Sequence, residues 1–275
     1  MFNRQRKVCN FVFGAILGLS SVGSYAHDVW IKPDSYRMFS DEQTRFSFDV
    51  SRSAEPFVAE SNHNVKSLMV FGPGGGVTLH NPDFSGETKE VFEVGFNKYG
   101  TYFLKAKDTQ VFLSFYEDKN GKEHKIRMAK DEKGKLPAGA TLVKTIEKVM
   151  SSESYVSFNA ITKIEPVIKD KGITIVPLTH PNEIELGEPV KFKIYLNGAP
   201  LEDGEVALKS NGGQYYGDEI EIELEGAKGG VYEFEVDKPG AYILGVESQF
   251  ELKNDKKADF RSIETFLTFD VQSQQ

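Results

Sequence analysis

The fold of this chain is decided by segments such as Val190-Lys191-Phe192-Lys193-Ile194-Tyr195-Leu196, in which apolar residues alternate with more polar ones. The same alternation runs through Thr-Arg-Phe-Ser-Phe-Asp-Val at residues 44–50 and Glu-Ile-Glu-Ile-Glu-Leu-Glu at residues 219–225. Successive side chains of a β-strand point to opposite faces of its sheet, so this period of two predicts strands that are buried on one face. The carboxylates of residues 219–225 then share a solvated strand face and do not form an acidic site.

A weak internal repeat predicts how the strands are grouped. Residues 93–104 and 233–244 each read as a strand, a turn with glycine, and a second strand with an inward tyrosine. Two antiparallel β-sandwich units of immunoglobulin-like type, arranged in tandem, explain this pattern more economically than one large barrel. We therefore expect an all-β protein with an N-terminal sandwich domain over residues 27–170 and a C-terminal one over residues 171–275.

Two local patterns refine the N-terminal domain. Lys-Asn-Gly-Lys at residues 119–122 follows an aromatic run and predicts a β-hairpin with a type I′ turn. Residues 141–150 predict a short helical insertion, because Leu142, Ile146 and Val149 would share one face of a helix.

Composition excludes several classes of protein. The chain has 275 residues, with 33 Lys and Arg against 41 Asp and Glu, and a formal net charge of −8. Nucleic-acid binding needs a basic surface, so this balance argues against it. A single cysteine, Cys9, excludes a disulfide framework, a zinc ribbon and an iron–sulfur cluster.

The first 26 residues are typical of a secretory signal peptide. Arg4, Arg6 and Lys7 precede an apolar stretch at residues 11–22, and small residues follow up to Ala26. The apolar stretch is short for a membrane span, which leaves an uncleaved N-terminal anchor as the weaker alternative. The pattern predicts export to the periplasm, cleavage after Ala26, and a mature chain without a membrane span.

Cleavage at that point would make a histidine the first residue. An N-terminal histidine can chelate one metal ion through its α-amino nitrogen and imidazole Nδ1, and such nitrogen ligands suit Cu(II), Ni(II), Co(II) and Zn(II). His27 would be this residue, and His63 and His180 lie in polar loops where binding sites are often built. Spacing alone does not join the three histidines. His124 is interpreted as a solvated turn residue, and the role of His80 stays open.

Several of these elements resemble one family. They are Ala-His-Asp-Val-Trp-Ile at 26–31, Asn-His-Asn at 62–64, Thr-His-Pro-Asn-Glu at 179–183, Gly-Gln-Tyr-Tyr at 213–216 and Pro-Gly-Ala-Tyr at 239–242. Together they resemble the DUF4198, or NikM-like, family of exported proteins associated with nickel and cobalt uptake. The resemblance implies a metal site formed by His27, His63 and His180. Members often carry Asp where this chain has Glu183, and residues 129–165 match poorly, so no role is carried over there.

Three functions from different classes follow. The leading hypothesis is a periplasmic protein, not an enzyme, that binds a divalent transition metal ion (nickel, cobalt, copper or zinc) at His27, His63 and His180 and passes it to a membrane importer. The second is a copper oxidase that uses His27 in a histidine brace. The third is a non-metal surface or carbohydrate-binding module. Convergence of the three imidazoles would favour the first. The sequence contains no Gly-x-Ser-x-Gly or His-Glu-x-x-His motif that would indicate catalysis.

Overall fold

The computed structural model describes residues 27–41, 44–164, 166–211 and 220–273. Strands make up 55% of it and helix 3%, which confirms the all-β prediction. The predicted signal peptide and the Gly-Gln-Tyr-Tyr segment at 213–216 lie outside the described residues. Within the described ranges, no helix has the length and apolar character needed to cross a membrane.

The first part of the described chain forms strands β1 to β11. They are β1 (Asp28–Pro33), β2 (Arg37–Met38), β3 (Thr44–Ser53), β4 (Leu68–Phe71), β5 (Val77–His80), β6 (Phe84–Ser85), β7 (Lys89–Phe96), β8 (Gly100–Ala106), β9 (Thr109–Glu117), β10 (Glu123–Arg127) and β11 (Thr141–Phe158). A 3₁₀ helix, Lys130–Lys135, connects β10 to β11.

The second half continues with strands of the same kind. They are β12 (Ile173–Pro177), β13 (Val190–Leu196), β14 (Ala199–Pro200), β15 (Glu205–Ser210), β16 (Ile220–Glu223), β17 (Val231–Phe234), β18 (Gly240–Glu251) and β19 (Phe260–Val271). The alternating segments of the sequence fall on β3, β13 and β16. In β16, Glu221 and Glu223 are exposed as expected, but Ile222 between them is exposed as well.

Strand β11 joins the two halves into one sheet. Its first part pairs antiparallel with β9 and its last part with β8, while its other edge pairs parallel with β19. An 11-stranded sheet results, with the order β16-β15-β18-β19-β11-β8-β4-β5 and with β2, β9 and β10 attached. Two smaller sheets pack with it, one ordered β1-β3-β7-β6 and one formed by β12, β13, β14 and β17.

The helix predicted at residues 141–150 is wrong. Those residues form the start of β11 and are hydrogen-bonded to β9, and from Ile146 onward to β19 as well. Strands on both edges satisfy the backbone groups that a helix would satisfy internally. They also bury Glu147, which a helix with Leu142, Ile146 and Val149 on its inner face would expose. Tertiary pairing has overridden a weak local helical pattern.

The predicted hairpin is confirmed, but its turn type is wrong. Strands β9 and β10 pair in register around the turn. Gly121 has a φ of 77°, whereas Asn120 is not in the left-handed region, and a type I′ turn requires both residues there. The side chain of Asp118 instead accepts hydrogen bonds from the backbone of Asn120 and Lys122 and shapes a longer loop.

The internal repeat is present as two equivalent corners. The Tyr102 hydroxyl donates to the Lys98 carbonyl at 2.8 Å, and the Tyr242 hydroxyl donates to the Lys238 carbonyl at 2.7 Å. Both tyrosines are buried, and each corner turns at a glycine with positive φ. Each half also has its own cluster of buried apolar side chains, and a third cluster joins Val29 and Trp30 of β1 to β11, β18 and β19.

Candidate functional site

The residue predicted to begin the mature chain directly precedes a firmly held strand. Strand β1 pairs antiparallel with β3, and Val29, Trp30 and Ile31 are almost fully buried. The Trp30 indole Nε1 donates a hydrogen bond to Ser53 Oγ at 2.9 Å. These contacts hold the strand that directly follows His27 against the rest of the fold.

Asp28 ties the same position to the second half of the chain. Its carboxylate is buried and lies 3.2 Å from Nζ of Lys209 on β15. Burial raises the pKa of Asp28, and the neighbouring Lys209 ammonium opposes that rise. Residue 27 is therefore followed by a side chain that is fixed by an ion pair as well as by strand pairing.

His27 itself has a carboxylate partner. Its Nε2 lies 3.2 Å from Oε2 of Glu60, and the two side chains are 39% and 40% exposed. A carboxylate only accepts hydrogen bonds, so Nε2 is the ring nitrogen placed to donate to Glu60. Nδ1 is the nitrogen that can close a chelate ring with an α-amino group on the same residue.

His63 lies in the loop between β3 and β4, which also contains Glu60. Its side chain is buried, Nε2 lies 2.6 Å from Thr109 Oγ1, and its backbone N–H donates to Glu90 Oε2 at 3.2 Å. Burial, with a smaller contribution from the charge of Arg52, lowers the pKa of His63 to about 4. The imidazole is therefore neutral at neutral pH and faces the interior of the protein.

This buried histidine makes the stability of the fold depend on pH. Between pH 6.5 and about 4, the unfolded chain binds a proton at His63 that the folded chain excludes. Stability is therefore full above pH 6.5 and falls as the pH is lowered, by about 2 kcal/mol from this group at about pH 5. Urea unfolding near pH 7.5 and near pH 5 measures the loss.

The comparison that isolates His63 uses two variants. We expect His63→Gln to lose about 2 kcal/mol less than the parent on acidification. His124→Gln serves as the matched control, because His124 lies on the hairpin and is paired with Asp118 at 3.0 Å. The same acid sensitivity in His63→Gln and in the parent would contradict a buried, neutral His63.

His180 has a structural set of partners. Its Nδ1 accepts a hydrogen bond from the backbone N–H of Asn182 at 3.1 Å, so Nε2 is the protonated nitrogen. Nε2 donates to the Thr162 carbonyl at 3.1 Å and lies 3.2 Å from Thr101 Oγ1. Burial lowers the pKa of His180. Both ring nitrogens thus hold segment 179–183 against β8 and the chain that follows β11.

The structure does not bring the three predicted metal ligands together. Thr109, the partner of His63, is paired with Met150 of β11, whereas Thr101, the partner of His180, is paired with Ser157 of the same strand. Seven positions along a strand span about 23 Å. In the described part of the chain, no three His, Cys, Asp or Glu residues form a group that could hold a metal ion. The expected convergence of His27, His63 and His180 is therefore not seen.

A cavity of about 950 Å³ was not foreseen from the sequence. It lies over the C-terminal part of β11, beside β4 and β8, and it is also lined by residues from segments 162–164 and 166–169 and from β12. The glycine-rich stretch at residues 72–75 forms part of its rim. The sequence signal that could have indicated this cavity is the pair of charged residues Lys105 and Glu153, which lie on buried parts of strands β8 and β11. Their proximity depends on strand register, which the sequence does not give.

Comparison with known proteins gives one family and distant structures. The family described as "Domain of unknown function (DUF4198)" matches residues 24–249. No curated protein shows significant similarity to the chain. A crystal structure of a DUF4785 family protein from Legionella pneumophila is 9% identical, with a TM-score of 0.25, over 78% of this chain and 50% of that one. Trypsin-activated alpha-2-macroglobulin from Escherichia coli is 9% identical, with a TM-score of 0.20, over 88% of this chain and 23% of that one. The chain thus spans half the length of the first structure and less of the second, and likeness at this level assigns neither fold nor function.

Proposed function

The chain belongs to the DUF4198 family, and from that premise we propose that it is an exported protein that binds a divalent transition metal ion at His27. The proposal includes cleavage of residues 1–26, a periplasmic location, and the association with nickel and cobalt uptake that the resemblance to NikM-like proteins implies. Metal capture at the new N-terminus, followed by transfer to a membrane importer, is the activity proposed.

The contact between His27 and Glu60 carries this proposal. Metal-binding histidines usually donate their second ring N–H to a carboxylate, which fixes the tautomer and strengthens the ligating nitrogen. Glu60 is placed to do this at Nε2, at 3.2 Å, and Nδ1 is the ring nitrogen that we propose binds the metal ion. The α-amino group created by cleavage would add a second nitrogen on the same residue, and its pKa near 8 lets a metal ion displace its proton readily.

Rigidity of the neighbouring chain supports the same site. A terminus that frays loses the preorganisation that a binding site needs. Here the residues after His27 are held by strand pairing with β3, by the buried Trp30 and by the ion pair between Asp28 and Lys209. An ion held by two nitrogens of one residue keeps other coordination positions exchangeable, which suits transfer to a partner.

The other two histidines are not part of the coordination proposed. His63 faces the interior and His180 uses both ring nitrogens within the fold. A histidine brace needs a second imidazole on the same ion, so the arrangement gives the copper oxidase alternative no support. The tandem sandwich arrangement, with its division near residue 170, is retained as a proposal, and the two tyrosine corners support it.

Calorimetric titration of the protein that begins at His27 tests the metal site. We expect binding of Cu(II) or Ni(II) with one ion per chain, and its loss when one glycine precedes His27, because the α-amine is then displaced. We expect Glu60→Ala to weaken binding about 10- to 100-fold, which is the usual effect of removing a carboxylate that orients a ligating histidine.

Two control variants make the assignment specific. Glu55→Ala removes an exposed carboxylate from the same loop, and His180→Gln removes an imidazole at the other end of β11. Both are expected to keep the parent's affinity. Equal affinity with and without the added glycine would show that the N-terminus of His27 is not a ligand, and would refute the proposal.

A further inference from the structure

The cavity over β11 is built on a regular ladder of cross-strand pairs. On one face of the large sheet, Thr101 and Ser157 are hydrogen-bonded at 2.9 Å, and the rings of Phe103 and Tyr155 lie 4.9 Å apart. Next along the strands, Lys105 lies 3.8 Å from Glu153. The face therefore changes from polar to aromatic to charged within three adjacent pairs, a layout that can hold an amphiphilic molecule.

The aromatic part extends over three neighbouring strands. Phe71 of β4 is in register with Phe103 of β8, and Phe103 is in register with Tyr155 of β11. The Phe71 and Phe103 rings are 5.4 Å apart. Ile164 and Val167 also line the cavity, and Val167 is 82% exposed. These walls offer an apolar, largely aromatic surface of the kind that ligand cavities use to bury an aromatic or acyl body.

Two lysines and two carboxylates meet at the charged end of the cavity. Lys105, Lys169 and Glu153 line it, and Asp108 contacts Lys105 Nζ at 2.8 Å. Lys105 and Glu153 are almost completely buried, and Lys169 Nζ lies 2.9 Å from Glu153 Oε1. These contacts hold the ammonium groups of Lys105 and Lys169 at the same end of the cavity.

The two ammonium groups retain donors for a ligand. An ammonium has three N–H donors. The short contact of Lys105 is to Asp108 at 2.8 Å, and Lys169 contacts Glu153 and, at 3.5 Å, the Ile173 carbonyl. A charged acceptor placed between the two side chains would therefore receive charge-assisted hydrogen bonds in a partly dehydrated site.

We propose that this cavity binds a small organic acid, with its aromatic or acyl body against Phe71, Phe103 and Tyr155 and its anionic group held by Lys105 and Lys169. A volume of about 950 Å³ matches cavities that hold ligands of that size. The proposal does not depend on metal binding, because the cavity contains neither His27 nor Glu60.

A matched pair of fluorescent probes tests the charge requirement. 8-Anilino-1-naphthalenesulfonate and N-phenyl-1-naphthylamine share one aromatic body, and only the first carries a sulfonate. In metal-free protein we expect the sulfonate to bind more tightly, and Lys169→Met to weaken it about tenfold while leaving the neutral amine unchanged. Lys125→Met, on exposed strand β10, is the control and should change neither affinity.

A second pair of variants tests the location, and decides the matter if Lys169→Met does not fold. Val77 lines the cavity from edge strand β5 and is 55% exposed, so Val77→Trp adds bulk at little cost to stability and should weaken both probes. Thr78→Trp is on the opposite face of the same strand and should weaken neither. Equal affinity of the two probes, or loss of binding in both tryptophan variants alike, would overturn the proposal. Metal titration of the same variants should match the parent, which keeps this test separate from that of His27.

Discussion

Trp30→Ala is expected to lower the free energy of unfolding by about 3–5 kcal/mol, the usual cost of truncating a large aromatic side chain in a packed core. Trp30 is 1% exposed and packs with Val29, Met150, Ile243 and Phe266. Alanine would leave a cavity where β1 meets β11, β18 and β19. It would also leave Ser53 Oγ without the indole N–H that it accepts at 2.9 Å.

Urea unfolding followed by far-ultraviolet circular dichroism measures this loss. Fluorescence is unsuitable because Trp30 is the only tryptophan of the chain. Trp30→Phe should lose less, since it keeps most of the ring volume and gives up only the hydrogen bond. Phe39→Ala, at a side chain that is 76% exposed, should change the free energy by less than about 0.5 kcal/mol. A Trp30→Ala cost as small as that of Phe39→Ala would contradict the packing described for β1.

The same variant links the fold to the proposed metal site. Trp30 holds the strand that follows His27, so its loss should let the N-terminus fray and weaken metal binding even under conditions where the rest of the protein stays folded. Unchanged metal affinity in folded Trp30→Ala would show that the strand's rigidity is not needed at His27.

Lys148→Met is expected to cost about 3–5 kcal/mol of stability, because it leaves a buried carboxylate without its cation. Lys148 Nζ lies 2.5 Å from Oε1 of Glu264, which is 2% exposed. Glu247 lies beside this pair, and burial together with the charge of Glu264 raises its pKa. Without Lys148, two carboxylates would face each other inside the sheet that joins β11 to β18 and β19.

A double variant separates the charge effect from loss of packing. Lys148→Met combined with Glu264→Gln removes both charges, so most of the stability should return. Lys66→Met, at an exposed position, is the control and should change the free energy of unfolding by less than about 0.5 kcal/mol. If the double variant is no more stable than Lys148→Met alone, the buried charge is not the cause of the loss.

The predictions from sequence are confirmed for segments whose own residue pattern is sufficient to specify a strand. The alternation in β3, β13 and β16 is a property of single segments, and each is a strand. The two tyrosine corners at Tyr102 and Tyr242 also close within four residues. The predictions are wrong where pairing with another strand determines the structure of a segment. Residues 141–150 had a weak helical face, but hydrogen bonds from β9 and β19 made them a strand.

The same distinction between local pattern and tertiary pairing applies to the candidate sites. The sequence alone determined that His27 would precede a buried strand, because the apolar run Val29-Trp30-Ile31 is adjacent to it in the chain. Only the tertiary structure decided which side chains meet across space. The register of β11 places the partners of His63 and His180 seven positions apart, and the same register stacks Phe103 on Tyr155 and sets Lys105 beside Glu153. Strand alternation sets the face on which a side chain lies, whereas its neighbours on that face depend on pairing between segments far apart in the chain, which local periodicity does not encode.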